Sequence, residues 1–382
     1  MKRTIIAVLL IVATLSFSTT AFAVDNVGIQ KNSCREDMSA KVMLSATRIS
    51  HIEDNTVLFL SESGINASLI PVCCLYNADD DIEALLYTIS GGGYIVVSYK
   101  DGHVIEYSLN DLPFDIKDVN PDNRIYYGGP LFFYQKDEAN NCFTDLSAAE
   151  NFVLPDAYPS YSLPFKNDIA ISTVDSENTT LPQGATFSLA APVNYVAAIG
   201  NNYCTITGIT NLLQYYKDRR GADVYSGSVS TASGLRSTLD SSHYIYNGPL
   251  TLNDAAGVHT KNGVTYSGLQ IYLYRSDVTT FTVSTSLITE AKVKSHVRTA
   301  PVLLTIYTRG IDSSASSSST HIVLCYGYQE RESPPVSSIN QDASAYSTTT
   351  YYLVNNGWGS NGVYVSASDI GTGSVFRMMW LS

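Results

Sequence analysis

Hydrophobic positions in the C-terminal half of the chain first follow a helical period. From position 206 onward, apolar side chains recur at positions 206, 209, 212, 213 and 216, the spacing of a helix that buries one face. This pattern predicts a helix that begins at Cys204, with Asn201 or Asn202 able to cap its first turn. A second helix is expected from Glu290 to Arg298.

Apolar, β-rich runs predict three strands in the same half. They cover residues 301–307, 321–328 and 350–359. The second run begins with His321, directly after a Ser-rich loop, and the third ends in an amide, a glycine and Trp358. Polar side chains that could take part in catalysis therefore lie at the ends of buried strands, where the core holds them rigidly.

The N-terminal half has the pattern of an α+β unit. Residues 94–99 and 104–108 are β-rich runs joined by Asp101-Gly102, a strong hairpin turn. Residues 124–134 form another strand-like segment, and residues 82–86 fit either a short helix or a strand. No catalytic pattern occurs in this half, so its role is expected to be structural or regulatory.

Composition and charge indicate two folding units. The 382 residues are 45% hydrophobic and 15% charged, enough to fill more than one core. Residues 24–181 carry 9 Lys and Arg against 24 Asp and Glu, whereas residues 182–382 carry 12 against 11. Proline, serine and threonine are concentrated near 155–190, as in an exposed linker. We expect one domain over 24–180, including a linker from about 155, and a second over 181–382.

The extreme N-terminus has the pattern of a signal peptide. Lys2 and Arg3 precede an apolar run over 5–15, and Ala21-Phe22-Ala23 follows as a small-x-small cleavage site. The apolar run is short for a bilayer core of about 30 Å, which favours cleavage after Ala23 over retention as an anchor. The segment 1–23 is therefore predicted to direct the protein out of the cell, and the mature protein is expected to be secreted.

Charge and motif content narrow the partners and cofactors. The net charge of -12 without a basic cluster argues against nucleic acid and against an anionic membrane surface. The chain lacks CxxC, HExxH, GxSxG and Walker patterns, so no metal or other cofactor is predicted. Six cysteines are too sparse for a dense disulfide framework, although a Cys34 to Cys142 bridge is conceivable in an exported protein.

Three separated positions fit nucleophilic catalysis by a thiol. Cys204 at a helix N-terminus has its thiolate favoured by the helix dipole and by a neighbouring imidazolium. His321 can serve as base and acid, and Asn356 can accept the proton of its far ring nitrogen, with Trp358 shielding that bond from water. Asn355 is the alternative for the orienting amide.

This order of residues resembles the papain-like cysteine peptidases, in their bacterial secreted branches. The resemblance covers about residues 190–382 and rests on Cys204, on His-x-Val-x-x-x-Gly-Tyr from His321, and on Asn-x-Trp-Gly from Asn356. It implies an α+β domain in which the helix carrying the Cys packs on an antiparallel sheet. It also implies a nucleophile, a general base and an orienting amide at those three positions.

The sequence departs from the family at the oxyanion hole. The family places a Gln about six residues before the Cys, whereas Ala198 and Ile199 stand there in this chain. Asn194, Asn201 or Asn202 could donate the missing hydrogen bond. Losing one such donor typically lowers turnover about 100- to 1000-fold.

A second resemblance concerns the N-terminal half. Residues 86–98 and 104–108 are similar to the propeptide of streptopain-type peptidases, which inhibits the enzyme until it is removed. The resemblance implies an exported proenzyme that binds its own prodomain and hydrolyses peptide or protein substrates. Two alternatives remain open: a cell-wall amidase or transpeptidase on the same scaffold, and a catalytically weak secreted binding protein.

Overall fold

A computed structural model describes most of both halves of the chain. The described residues are 46–62, 64–114, 119, 123–137, 142–146, 186–189, 195–197, 203–225, 229–248, 250–278, 280–308, 319–333, 347–359, 361–371 and 376–382. The predicted signal segment, Cys34 and nearly all of the expected linker lie outside these residues.

A large, mostly antiparallel sheet of 14 strands dominates a mixed α/β architecture. The sheet strands are β1 (Leu69–Tyr76), β2 (Ile82–Ile89), β3 (Tyr94–Ser98), β4 (Val104–Ser108), β5 (Ile125–Gly129), β6 (Phe132–Asp137), β7 (Cys142–Asp145), β8 (Thr186–Ser188), β11 (Val283–Leu287), β12 (Val302–Thr308), β13 (Ser319–Ser333), β14 (Ser347–Asn355), β15 (Asn361–Ser366) and β16 (Arg377–Leu381). Two short strands, β9 (His259–Lys261) and β10 (Val264–Tyr266), form a separate hairpin.

Helices cover parts of the large sheet. They are α1 (Ala46–Glu62), α2 (Cys204–Arg220), α3 (Ala232–Ser241), α4 (Leu252–Ala256), α5 (Gly268–Arg275) and α6 (Glu290–Val297). The α2 and α6 helices confirm the two helices predicted from the sequence. None of the helices in the described ranges is long and apolar enough to cross a membrane.

The N-terminal half forms a run of neighbouring strands. The order β4-β3-β2-β1-β5-β6-β7 uses antiparallel pairs throughout except for the parallel pair β1 and β5. The predicted hairpin at Asp101-Gly102 is confirmed, because β3 and β4 pair antiparallel across it. The ambiguous segment at residues 82–86 belongs to strand β2, since neighbouring strands on both sides supply its backbone partners.

The two halves of the chain share one continuous sheet. Strand β4 pairs antiparallel with β15, so that Glu106 lies opposite Val365 and Tyr107 opposite Tyr364. The Tyr351 hydroxyl also donates to the Val104 carbonyl at 3.0 Å. The sheet order therefore runs from the C-terminal strands into the N-terminal ones without a break, and we call this place the β4–β15 junction.

Aromatic side chains reinforce the junction from one face. Phe59 of α1 packs edge-on against Tyr107 and Tyr351, and Tyr107 stacks on Tyr364 at 4.7 Å. The Tyr107 hydroxyl donates to the Gln329 side-chain oxygen at 2.6 Å. Large buried rings from both halves thus form one continuous core.

Candidate active site

The Cys204 thiol lies at the first residue of helix α2. No acidic side chain occupies the first turn, and three basic residues lie in the last, so the charges on the helix agree with its dipole. The helix ends at Gly221, whose φ of 66° is the left-handed conformation of a glycine cap. The expectation that Asn201 or Asn202 occupies the N-cap is wrong: Tyr203 holds that position and contributes no side-chain cap bond.

Two residues of α2 fix the position of Cys204. Gly208 faces the sheet, where an added Cβ would lie 2.9 Å from Leu303 Cδ2 and 3.3 Å from Ile322 Cγ2. Asn211 is fully buried, and its Oδ1 accepts the backbone N–H groups of Tyr195 and Val196 at 3.0 and 2.9 Å. The close contact of Gly208 with the sheet and the hydrogen bonds of the buried Asn211 amide together fix where the first residue of α2, Cys204, lies against the sheet.

The His321 side chain is held in a rigid arrangement near the start of β13. It is only 2% exposed, and its Nε2 makes a 2.7 Å hydrogen bond to the main-chain carbonyl of Asn356. The Trp358 ring stacks on the imidazole with a centroid distance of 4.0 Å and an interplanar angle of 5°. Ring stacking and the carbonyl bond thus fix which nitrogen carries the proton, because the nitrogen facing a carbonyl must donate.

The amides after strand β14 form a tight turn. Asn356 Oδ1 accepts the N–H of Trp358 at 2.9 Å, and Asn355 Oδ1 accepts the N–H of Gly357 at 3.0 Å. Gly357 has a φ of 81°, and an added Cβ there would approach the His321 ring to 3.9 Å. In this arrangement Asn356 presents its main-chain carbonyl to His321, while the Asn356 carboxamide oxygen closes the turn that carries Trp358.

The Cys204 sulfur lies against the start of strand β13, one residue along from His321. The backbone N–H of Ile322, the residue after His321, points at the Cys204 sulfur. Burial raises the pKa of the Cys204 thiol, and the hydrogen bond from Ile322 opposes that shift only in part. Burial lowers the pKa of His321 to about 4, again opposed by the Asn356 carbonyl. Thiol and imidazole are therefore both uncharged at neutral pH, so the pair is not activated.

A side chain from the N-terminal half packs directly on this site. Phe132, the first residue of β6, contacts the His321 and Trp358 rings edge-to-face, each at a centroid distance of 5.2 Å. Leu131, just before it, has a φ of 71°, unusual for a residue with a side chain. The aromatic segment 126–134 predicts an apolar contact with the C-terminal half, and Phe132 makes one, but the sequence does not show which distant rings it meets.

The remaining candidate residues divide into described and undescribed positions. Asn194, Asn201 and Asn202, the candidates for the oxyanion hole, lie outside the described residues. Cys325 is a free, buried thiol inside β13 whose Sγ donates to the Gly327 carbonyl at 3.3 Å. Burial raises its pKa to about 12, so it is no rival nucleophile. In the described part of the chain, no three His, Cys, Asp or Glu side chains come together to hold a metal ion.

Comparison with known proteins gives a weak structural similarity. No family model and no curated protein matches the sequence. Among solved structures, a mutant fragment of Prevotella intermedia prointerpain A aligns with 82% of this chain and 98% of its own. The TM-score is 0.32 and the sequence identity 11%. A similarity of this size identifies neither the fold nor the activity of the present chain.

Proposed function

We propose that this chain is the latent proenzyme of a secreted, papain-like cysteine endopeptidase, with Cys204, His321 and Asn356 as its catalytic residues. The observation that carries the proposal is the cluster near the start of β13, where the Cys204 sulfur faces the backbone N–H of Ile322, the residue after His321. Asn356 and Trp358 hold the imidazole from the other side. A thiol at a helix N-terminus beside a positioned imidazole is the arrangement that acyl transfer requires.

The proposed reaction has two steps, acylation of Cys204 and hydrolysis of the resulting thioester. The Cys204 thiolate attacks the carbonyl carbon of a peptide bond, the C–N bond breaks, and the His321 imidazolium gives its proton to the leaving amine. His321 then takes a proton from water, whose oxygen attacks the thioester carbon; the C–S bond breaks, the carboxylic acid product leaves, and the Cys204 thiolate and the His321 imidazolium are regenerated. In this mechanism Asn356 orients the imidazole, and Trp358 keeps water away from the hydrogen bond that does so.

The electrostatics of the site fit a latent state. With His321 neutral and the Cys204 thiol protonated, no thiolate is available at neutral pH. Phe132 contributes to this state, because its ring covers the imidazole and excludes water from it. In this proposal activation includes the departure of Phe132, which would let water reach the imidazole, raise the pKa of His321 and favour an ion pair with Cys204.

In this proposal the N-terminal half is an inhibitory prodomain. Residues 24–180 follow a signal segment 1–23, and a cut in the linker from about 155 separates them from the catalytic domain at 181–382. Two contacts support this role, namely the β4–β15 junction and the Phe132 ring on the site. The ring contact is apolar and the strand pairing is made of backbone hydrogen bonds, so salt alone should not dissociate the two halves, although it would weaken the ion pair of His103 with Asp369 beside the strands.

The test is activity before and after cleavage of the linker. The chain from residue 24 onward is purified, treated with a trace of an unrelated protease and assayed on an unstructured protein substrate. We expect activity to appear with cleavage, to be blocked by iodoacetamide at Cys204, and to be absent from Cys204→Ala treated in the same way. Cleavage without any activity, and without rapid alkylation of Cys204, would instead indicate a secreted binding protein.

The amidase alternative is resolved by the same preparation. The cleaved protein is incubated in parallel with peptidoglycan, and the release of free amino groups is compared with that from the protein substrate. Preference for peptidoglycan would keep Cys204 and His321 in their roles but replace the endopeptidase by a cell-wall amidase or transpeptidase.

A further inference from the structure

The β4–β15 junction contains a buried carboxyl group that the proposed chemistry does not use. Glu106 lies in β4 opposite Val365 and is 0% exposed. The Tyr94 hydroxyl donates to Oε1 at 3.1 Å, and the N–H of Leu131 donates to Oε2. A carboxyl group in a strand core is costly unless hydrogen bonds satisfy it, so its presence requires an explanation.

Glu106 connects both contacts between the two halves. Its own strand pairs with β15, and its bond to the Leu131 N–H holds the residue whose φ of 71° turns the chain into Phe132. Phe132 in turn covers His321. The hydrogen bond from the Leu131 N–H therefore ties the position of Glu106 in β4 to the ring that covers His321.

A histidine at the same junction makes a second polar contact. His103, in the turn before β4, bonds Asp101 through Nδ1 and Asp369, after β15, through Nε2 at 3.1 Å. Asp101 belongs to the N-terminal half and Asp369 to the C-terminal half, so the imidazolium bridges the two. The Asp369 carboxylate also acts on Glu106, disfavouring its charged form.

We propose that the β4–β15 junction is a proton-dependent latch, closed while Glu106 and His103 both carry a proton and loosened as they lose it. The neutral Glu106 carboxyl fits its buried position, and the charged His103 ring fits between two carboxylates. Deprotonation would place a negative charge in the strand core, which the hydrogen bonds from Tyr94 and Leu131 offset only in part, and would remove the ionic bridge at the second site.

The sign of the pH dependence follows from the direction of the two shifts. Burial raises the pKa of Glu106 from 4.5 to about 8. Burial opposes the charge on His103, but its hydrogen bonds to Asp101 and Asp369 outweigh it and raise the pKa from 6.5 to about 10. A group with a raised pKa binds a proton on closing, so the closed state loses stability as pH rises between its two values. The two windows overlap between pH 6.5 and 8.

The other ionisable groups around these two titrate outside that overlap. The Tyr94 and Tyr127 hydroxyls face Glu106, and burial raises the pKa of both well above 10.0. The pKa of Asp101 is held below its ordinary 3.8 by its bond to His103. His321 has the opposite sign, because its pKa is lowered from 6.5 to about 4, and it offsets Glu106 only below pH 6.5. Loosening is therefore expected on the alkaline side.

The test follows amide hydrogen exchange in β4 and β15 of the full chain carrying Cys204→Ala. After correction for the intrinsic pH dependence of exchange, protection should fall between pH 6.5 and 8. For each group that regains its ordinary pKa when the junction opens, protection should fall by at most about tenfold per pH unit. Glu106→Gln and His103→Gln should each reduce the dependence of protection on pH. The substitutions Glu62→Gln and His51→Gln, at exposed positions of α1, should leave that dependence unchanged.

The outcomes separate this proposal from the proposed function. Exchange is measured in an inactive variant, so the latch can be established even if the protein hydrolyses no peptide. Protection that rises with pH, or a slope that both substitutions leave unchanged, would overturn it. Should Glu106→Gln fail to fold, His103→Gln and Asp369→Asn decide the question, since both residues lie in partly exposed turns at the same junction.

Discussion

Removing the Phe132 ring should activate the uncleaved chain. The perturbation is Phe132→Ala, which deletes two edge-to-face contacts, one with His321 and one with Trp358, each at 5.2 Å. Each such pair contributes about 0.5–1.5 kcal/mol beyond the area it buries, so the contact holding the site closed should weaken by about 1–3 kcal/mol. A change of that size shifts the balance between closed and open states about 5- to 150-fold.

The same substitution also destabilises the N-terminal half, and a matched control separates the two effects. Phe133 is equally buried but packs on Tyr94, Phe114 and Tyr127, all within the N-terminal half. Phe133→Ala deletes the same volume, at a cost of about 3–5 kcal/mol common to both variants, but it leaves the His321 contact in place.

The assay is peptide hydrolysis by the intact chain, with gels confirming that the linker is uncut. Phe132→Ala should exceed Phe133→Ala in basal activity by at least about fivefold, the lower bound set by the two ring contacts. Phe132→Leu, which keeps apolar bulk, should fall between Phe132→Ala and the parent. Equal activity in the two alanine variants would refute the reasoning, because general loosening of the N-terminal half would then explain both.

Three further predictions address the site and its support. Cys204→Ala should abolish hydrolysis after cleavage, whereas Cys325→Ala should retain most of it, as measured by initial rates; equal losses would point to a structural role for both thiols. The His321 ring, followed by NMR, should titrate near the pKa of about 4 in the closed chain and near 6.5 once the N-terminal half is removed; an unchanged midpoint would exclude Phe132 as the cause of its desolvation. Asn211→Leu should lower the free energy of unfolding by about 2–4 kcal/mol in urea titrations, since two backbone N–H groups lose their buried acceptor; a loss below about 1 kcal/mol would show that water replaces the amide.

Local sequence patterns predicted the helices and strands of this fold better than they predicted which strands pair with each other. The helix from Cys204 and the hairpin at Asp101-Gly102 are each determined by residues close together in the sequence. Both lie where the sequence predicts them. The pairing of β4 with β15 joins residues more than 250 positions apart, and backbone hydrogen bonds leave no trace in side-chain order. Such pairings are visible only once the sheet is assembled.

The burial of strand β4 shows that the alternation of polar and apolar residues does not always predict which residues are exposed. A period of two would place Ile105 and Tyr107 inside and Glu106 on a solvent face, yet all five residues of the strand are buried. Elements cover both faces of this central strand, so polarity cannot tell which side is outward. The site shows the same limit: the residue types around His321 were predicted, but a main-chain carbonyl that bonds its ring cannot be read from a side chain.

The continuity of the sheet across the β4–β15 junction changes what a cut in the linker achieves. The pairing of β4 with β15 does not depend on the covalent connection, so after the cut the N-terminal half leaves only when these backbone hydrogen bonds open, and activity should appear more slowly than the cut itself. Its departure leaves the edge of β15 at Val363, Tyr364 and Val365 without a partner strand, and an exposed strand edge is a template for joining other strands. The segment thus resembles a folding chaperone carried in the same chain: we expect C-terminal strands made without it to aggregate more readily, and a C-terminal half freed from it to be short-lived unless something else covers that edge.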